Sequence, residues 1–535
     1  MTSTSETTTT TTGTAGRGTA DLRALARGGV LNFMGAGFAA VAQFLSVVVL
    51  TRGFSKQEAG VFFAATTVFL MGLALARLGT DVGLVYFIAR TRALGFGHRV
   101  AAYVRAAFGP TVVAALVIAA ALYAAAPWIA EAAVEGPADD GARYLRALAL
   151  FLPAAAVSDA ALAATRGYRA MRPTALVENI ARQGLQLSLL AGLALFGATS
   201  LLGAAWAGPY IVTAVLAVLL LRRLMRRPVP PLEPATAEPN KAGPAEPNKA
   251  AGAETPGGTT REFWRYTAPR AIASLAQIVL QRFDIVLVAG LLGPVQAAVY
   301  TAATRYVVVG QIGNQALGQA VQPQLSAVLS RGDMAGARSL YQTATCWLVL
   351  LTWPVYLVFA TFAPYSLQLF GGGYEEGADV VLILSLTMLF ATICGQVDTV
   401  LIMAGKTTWN LANIVTAMTV NIVADLLLIP WLGITGAAAG WAIALFVKNA
   451  VPLAQIAHVL RLHPFGRGTL TAAALAGVGF GVLPLTTRLL LDGLLPLLVA
   501  TFVGACLYGT GCLLRRDVLR LDEIRRIRRR RTAPS

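Results

Sequence analysis

The sequence predicts an all-α polytopic membrane protein: 14 transmembrane helices, in two six-helix lobes related by an axis along the membrane normal, plus two C-terminal helices. Three observations predict this class. First, 56% of the 535 residues are hydrophobic and only 13% are charged, against roughly 25% charged in soluble globular chains. Many apolar runs reach the ~20 residues that carry a helix across a bilayer. Second, a polar interruption, Arg222–Arg261, divides the chain near its middle. It opens on Arg222, Arg223, Arg226 and Arg227 and contains EPNKA twice, at Glu238–Ala242 and Glu246–Ala250. Such a segment buries too little apolar surface to offset the entropy of ordering, so it reads as a solvated linker. Third, the two sides of that linker echo one another. Ser55–Thr67 lies against Gly293–Arg305 at an offset of 238, where Ala59, Val61, Ala64, Ala65 and Thr66 meet Ala297, Val299, Ala302, Ala303 and Thr304. A second echo pairs LGAA at Leu202–Ala205 with TGAA at Thr435–Ala438. Six spans per copy is an even number, so the copies share one orientation, as in parallel-repeat transporters.

In chain order, spans are expected at 29–50, 59–76, 107–127, 145–164, 174–197 and 201–221 before the linker. After it they are expected at 267–291, 296–318, 342–364, 379–403, 408–429, 434–457, 468–488 and 493–514. The organisation that follows is a disordered tail (1–28), an N-terminal lobe (29–221), the linker (222–262), a C-terminal lobe (263–460), two additional spans (461–514) and a basic tail (515–535). Residues 1–16 are Thr-rich and lack the basic start and cleavage site of a secretory signal, so the first apolar run is expected to act as an uncleaved signal-anchor.

Charge orients the chain. The net charge of +17 sits in short breaks between apolar runs, which is the pattern of topology-fixing loops and excludes nucleic acid as the implied partner. Loops on the side of the termini carry Arg77, Arg90, Arg92, Arg99, Arg105, Arg166, Arg169, Arg172, Arg331 and Arg338, whereas the opposite loops carry Glu131, Glu135, Asp139, Asp140, Glu375 and Glu376. Both termini and the linker are therefore expected to be cytoplasmic. The abundance of Arg and Ala suggests a GC-rich bacterial genome. The four cysteines show no metal-ligand spacing and read as small core fillers, and the three histidines are scattered, so no histidine metal site is expected.

Polar residues inside a span are costly and mark cavities or ion paths. In the seventh span Arg270, Ser274, Gln277, Gln281 and Asp284 recur at +4, +3, +4, +3, one stripe of a helix. The offset of 238 maps Asn32, Gln43 and Ser46 of the first span onto Arg270, Gln281 and Asp284. Both lobes thus present a polar face on their first helix, as a central hydrophilic cavity requires; interhelical hydrogen bonding within one lobe would give the same stripe. Arg282, Arg305 and Lys448 join Arg270 as a positive set suited to an anionic cargo, although Arg270 is near enough to the span's end to snorkel. Glu178 and Arg182, at i, i+4, read as a structural pair. Asp398 and Asp425 are lone membrane acids, able to carry a coupling proton or sodium ion or to pair with a basic neighbour. Asn410, Asn413 and Asn421 serve equally as interhelical glue or as ligands.

No phosphate-cradling glycine loop, nucleophile elbow or metal-ligand constellation occurs, so no enzyme active site, metal or cofactor is expected. Gly371–Gly373 reads as an external turn before Tyr374.

Four stretches carry a family resemblance: VVVLTRGFSKQEAGVFFAATT (Val47–Thr67), FDIVLVAGLLGPVQAAVYTAATR (Phe283–Arg305), LQLFGGGYEEGADVVLIL (Leu367–Leu384) and IPWLGITGAAAGWAIA (Ile429–Ala444). With them the chain resembles the polysaccharide-unit flippases of the multidrug/oligosaccharidyl-lipid/polysaccharide exporter superfamily over roughly residues 25–515. The resemblance implies a V-shaped cavity between two lobes and movement of a polyprenyl-diphosphate-linked oligosaccharide across a bacterial cytoplasmic membrane by alternating access. It also implies membrane lipids as surroundings, and a polysaccharide polymerase or glycosyltransferases as neighbouring machinery. The neutral Asn32, Gln43 and Ser46 depart from the arginine-rich first helix of the lipid II flippase branch. A cation-coupled drug or metabolite exporter on the same fold, and a transport-inactive scaffold recruiting partners through the tail Arg515–Arg531, are the competing readings.

Overall fold

The structure, a computed structural model, describes residues 34–93, 96–133, 138–168, 170–226 and 256–521. Asn32, Arg169, both EPNKA copies and most of the terminal tails lie outside the described residues. The first half comprises α1 (Met34–Gly53), α2 (Lys56–Arg77), α3 (Thr80–Ala93), α4 (Val100–Ala133), α5 (Ala138–Ala149) and α6 (Leu152–Gly167). A π-helical stretch, Thr174–Arg182, then runs into α7 (Gln183–Phe196), followed by α8 (Leu202–Ala207) and α9 (Pro209–Met225). The second half holds α10 (Pro256–Leu292), α11 (Pro294–Ser330), α12 (Met334–Leu367), α13 (Ala378–Ile393), α14 (Val397–Met403), α15 (Thr407–Leu432) and α16 (Ile434–Val459). The chain ends in α17 (Arg467–Ala476), α18 (Leu483–Leu490) and α19 (Leu494–Leu514). No strand occurs among the described residues.

Each expected span is mostly helical where it is described; 145–164 is interrupted between α5 and α6, and 379–403 at Cys394, Gly395 and Gln396 between α13 and α14. Among the described residues, eleven helices are long and apolar enough to cross a membrane, and the α5–α6 pair, bent by 42°, makes a twelfth when taken as one span. The expected spans 174–197 and 296–318 are helical but fall outside that set. Glu178, Arg182, Gln183 and Gln186 lower the hydropathy of the first, and Arg305, Gln311, Asn314 and Gln315 that of the second.

The internal echo has a structural counterpart, because α2 begins at Lys56 and α11 at Pro294, the same offset of 238. The two starts use different chemistry. Ser55 and Glu58 form a reciprocal capping box on α2, satisfying two backbone donors that a helix start leaves open. Proline at the first position of α11 has no such donor to satisfy.

Two expectations change. Residues 80–93, read as part of a basic loop with Arg90 and Arg92, are helical and prolong α2 into a span of 37 residues, Lys56–Arg92. Leu84, Phe87 and Ile88 bury there, and the break sits at Leu78 and Gly79, both at positive φ. The linker 222–262 is also helical at both ends, since α9 continues to Met225 and α10 starts at Pro256. Phe263 is fully buried against the first half, a tertiary contact that outweighs the polar composition around it. Of the four cysteines, Cys346 and Cys394 are buried as expected, while Cys506 is exposed on α19.

The long helices α10 and α11 join the halves. α10 packs on α2, α3 and α4 as well as on α11, α15 and α16, and α11 packs on α2, α12 and α13. A Cβ at Gly60 would lie 1.7 Å from the Pro294 carbonyl oxygen, so α2 and α11 meet backbone to backbone and only glycine fits. The largest apolar cluster consequently crosses the seam, with Phe62, Phe69 and Leu73 in one body with Val288, Tyr300 and Tyr356.

Candidate functional site

The polar stripe of α10 does not enter one uniform environment. Arg270 lies 3.7 Å over the Tyr266 ring and donates to the Tyr266 carbonyl oxygen at 3.0 Å. Tyr266 in turn stacks on Tyr86 of α3, with centroids 4.3 Å apart. Arg270 thus belongs to the linker end of the bundle, away from Lys448, in keeping with its position near the end of the span. Two turns further in, Gln277 accepts from Lys448 at 3.1 Å. Gln281 is accessible, as is Gln43 of α1, its repeat equivalent. Ser46, the repeat equivalent of Asp284, donates to the Ala42 carbonyl oxygen within its own helix.

Asp284 is 3% exposed. Its carboxylate accepts from the Tyr300 hydroxyl at 2.5 Å and from the Ile285 amide at 2.9 Å. Asp425 on α15 is fully buried and accepts from Asn421 one turn earlier at 3.0 Å through Oδ2. Its Oδ1 has no partner. The two carboxylates are within electrostatic reach of one another. A Cβ at Gly440 of α16 would fall 2.0 Å from that Oδ1, so the missing side chain leaves the oxygen its space. Two neighbouring buried acids, one with a free oxygen, demand a positive partner or a proton. Asp425 Oδ1 is the oxygen of the two acids left with room for a proton or a monovalent cation. Among the described residues no group of three or more His, Cys, Asp or Glu forms a metal cluster.

Asp398 behaves differently. Lys448 lies 3.8 Å from it, with side-chain exposures of 14% for the lysine and 39% for the acid. Of the two lone acids singled out in the sequence, the structure thus gives Asp398 a cation and leaves Asp425 without one.

Of the four basic residues singled out in the second half, only Arg282 and Arg305 come together. Arg282 and Arg305 lie close enough to repel each other, with Asp284 as their shared counter-charge. Arg305 also donates to the Thr301 carbonyl oxygen and to Thr304 Oγ1. Arg282 reaches across to the field of Tyr210 on α9. Tyr210 feels Arg77 and Arg182 of the first half as well, and the Arg182 guanidinium sits 4.8 Å over its ring.

That first-half cluster was only partly legible. Glu178 and Arg182 form the expected pair, at 2.7 and 2.9 Å, on the π-helical stretch. Arg182 also reaches Gln186 at 3.4 Å. Arg77 pairs with Asp159, and Arg166 lies in the field of Asp159, Asp81 and Glu178. Sequence reading placed Arg77 and Arg166 in loops and passed over Asp159, Tyr210 and Tyr300. Asp159 alone left a signal, as an acid inside the apolar run 145–164.

Comparisons with known proteins agree with this architecture. A family described as "Polysaccharide biosynthesis protein" matches residues 25–329, and a MatE family matches residues 269–427. No curated protein matches the chain. Among solved structures, "Lipid II flippase MurJ, inward closed conformation" superposes with a TM-score of 0.71 at 11% identity, covering 92% of this chain and 100% of the other. An inward-facing multidrug resistance MATE family transporter of the MOP superfamily gives 0.63 at 14% identity, covering 79% and 94%. Its outward-facing counterpart gives 0.55 at 14%, covering 82% and 95%. These identities speak for the fold alone. The first family match spans more than half of the chain: the chain belongs to the polysaccharide biosynthesis protein family, and it is a multi-pass membrane protein with the fold seen in those transporters.

Proposed function

We propose that the protein flips a polyprenyl-diphosphate-linked oligosaccharide across the bacterial cytoplasmic membrane, with both termini and the linker on the cytoplasmic side. The observation that carries this reading is the set of arginines held inside both halves: Arg182 lies 4.8 Å over the Tyr210 ring, Arg77 pairs with Asp159, and Arg282 and Arg305 share the Asp284 carboxylate. Arg282 and Arg305 share one carboxylate between them, so an added anion finds uncompensated positive charge there. Guanidinium groups recognise phosphate through paired, planar hydrogen bonds and stay charged in a poorly solvated site. The sugar would occupy the polar seam while the polyprenyl chain stays in the bilayer. The Asp425 carboxylate, through its free Oδ1, would take the coupling proton or sodium ion.

Family membership supports this cargo class, because polysaccharide assembly needs lipid-linked units moved outward to a polymerase. A bacterial surface-polysaccharide export assay tests it. Arg282→Gln and Arg305→Gln should insert normally and lose export by at least tenfold. Export at the parental rate in both variants would overturn recognition of the diphosphate by these arginines.

The MatE match over residues 269–427 and the acid pair it contains favour one competing reading, a cation-coupled exporter of small molecules. Efflux of a fluorescent cationic dye from cells making the protein, with no effect on surface polysaccharide, would favour that reading instead.

A further inference from the structure

The segments that carry the family resemblance meet one another at the far end of the bundle, opposite the linker. Arg52, in the last turn of α1, donates Nε to the Leu369 carbonyl oxygen at 2.7 Å and Nη2 to the Gln368 carbonyl oxygen at 3.0 Å. Those carbonyls follow the C-terminus of α12, where backbone acceptors are left open and the helix end is partially negative. Lys56, first residue of α2, stands 5.4 Å over the Tyr374 ring, just past the Gly371–Gly373 turn. Phe44 of α1 meets Phe370 at 5.4 Å and Tyr306 at 5.9 Å. Every one of these contacts joins the first half to the second.

The linker end has its own cross-seam contact, built differently. Glu262 of α10 accepts from Arg90 at 3.1 Å and from the Tyr103 hydroxyl at 2.8 Å. Phe263 beside it is buried against Phe87, with centroids 5.5 Å apart. A Cβ at Gly79 would come within 2.9 Å of the Ala271 amide, and one at Gly83 within 2.5 Å of Thr267 Oγ1. The start of α10, second half by sequence, is therefore docked on α2, α3 and α4.

We propose that Arg52 and Glu262 are opposed latches between the halves, Arg52 holding the far face shut and Glu262 the linker face. Both are engaged in this structure, so the seam is closed at both ends, and passage needs one released while the other holds. The Arg52 and Arg90 contacts are exposed, with Arg90 and Glu262 about half accessible, and exposed pairs are weak; the Tyr103 bond to Glu262 is partly buried. Weak latches suit a gate that must open readily. The inference rests on alternating access in the proposed function but not on the identity of the cargo.

The test uses spin-label distances in the full-length chain reconstituted in vesicles, after replacing Cys346, Cys394, Cys506 and Cys512. One label pair, at Ser55 and Gly372, reads the far face; another, at Phe96 and Arg265, reads the linker face. Arg52→Ala should raise the long-distance population of the far pair by about twofold to fivefold, the range expected for a weak exposed contact, and leave the linker pair unchanged. Glu262→Gln and Tyr103→Phe should do the reverse. Lysine at position 52 cannot bridge two carbonyls with a planar fork, so Arg52→Lys, the variant least able to disturb folding, should resemble alanine in direction. Lengthening of both pairs by one substitution, or of neither, would overturn the proposal. Because no substrate is present, a failed latch and a mistaken cargo give different results.

Discussion

The Tyr300 hydroxyl donates to the Asp284 carboxylate at 2.5 Å, from the first turns of α11 to the last turns of α10, with both side chains buried. The repeat equivalents of these residues are Phe62 and Ser46, at the same offset of 238, and Phe62 is fully buried. One half thus holds a hydrogen-bonded acid where the other holds a phenyl ring and a self-bonded hydroxyl. The two halves are therefore chemically unequal at this repeat position.

Removing that hydroxyl leaves a buried carboxylate short of a donor. Tyr300→Phe is expected to lower stability by about 1–3 kcal/mol, the cost of an unsatisfied buried group. Thermal unfolding in detergent, followed by intrinsic fluorescence, checks it. The reciprocal change, Phe62→Tyr, buries a hydroxyl among apolar neighbours and should be destabilising as well, where an equivalent polar site would have welcomed it.

Asp425 Oδ1 owes its free surroundings to Gly440. If this oxygen binds a cation, the folded state gains stability as the ion concentration rises above its dissociation constant, by about 2.7 kcal/mol at a hundredfold excess. The unfolding midpoint of the parental protein should therefore rise with sodium at constant ionic strength, or with falling pH if the cation is a proton. Asp425→Asn should abolish the dependence. Gly440→Ala should abolish it too, with every charge intact, because its methyl group would take the space beside Oδ1. A dependence that survives both changes places the ion elsewhere.

Lys448 and Arg282 were grouped by sequence as one positive set, yet their surroundings separate them. Lys448 already has Gln277 and Asp398 as partners, whereas Arg282 faces Arg305 across a shared acid. Neutralising Arg282 relieves a like-charge repulsion, so Arg282→Gln should be stable while transport falls at least tenfold. Lys448→Gln leaves Asp398 without its cation and should cost stability first, with a smaller loss of transport. Paired measurements of melting temperature and export rate on the two variants distinguish these outcomes.

The parts of the fold that were legible are those written locally. Apolar runs mark the helices, and the echo at an offset of 238 matches the spacing between the observed starts of α2 and α11, Lys56 and Pro294, which the spans expected at 59–76 and 296–318 set two or three residues late. The stripe from Arg270 to Asp284 was legible as a helix face, but a face 14 residues long extends about 21 Å and passes several neighbours. Spacing along one helix cannot say that Arg270 will meet Tyr266, Gln277 will meet Lys448 and Asp284 will meet Tyr300. Glu262 was read as linker because composition around it is polar; its partners Arg90 and Tyr103 lie 172 and 159 residues away. Long-range pairing of this kind leaves no periodic trace.

The same limit hid Asp159, whose partner Arg77 was assigned to a loop. This ion pair gives the sharpest separation of structure from transport. The Arg77 side chain is 32% exposed and that of Asp159 14%, so the pair sits between the surface and interior regimes. Breaking a fully buried pair by removing one partner costs about 3–5 kcal/mol, because the other charge is left uncompensated, while replacing both by apolar residues of like volume is often neutral. Partial exposure lowers the first figure here. Asp159→Asn is expected to destabilise the protein measurably, and Arg77→Met with Asp159→Leu to recover most of that loss, as read by unfolding midpoints of the single and double variants. If Arg77 is one of the four arginines that receive the diphosphate, the double variant should still be export-deficient at recovered stability. Restored export in that variant would make Arg77–Asp159 a purely structural pair and confine cargo recognition to Arg182, Arg282 and Arg305.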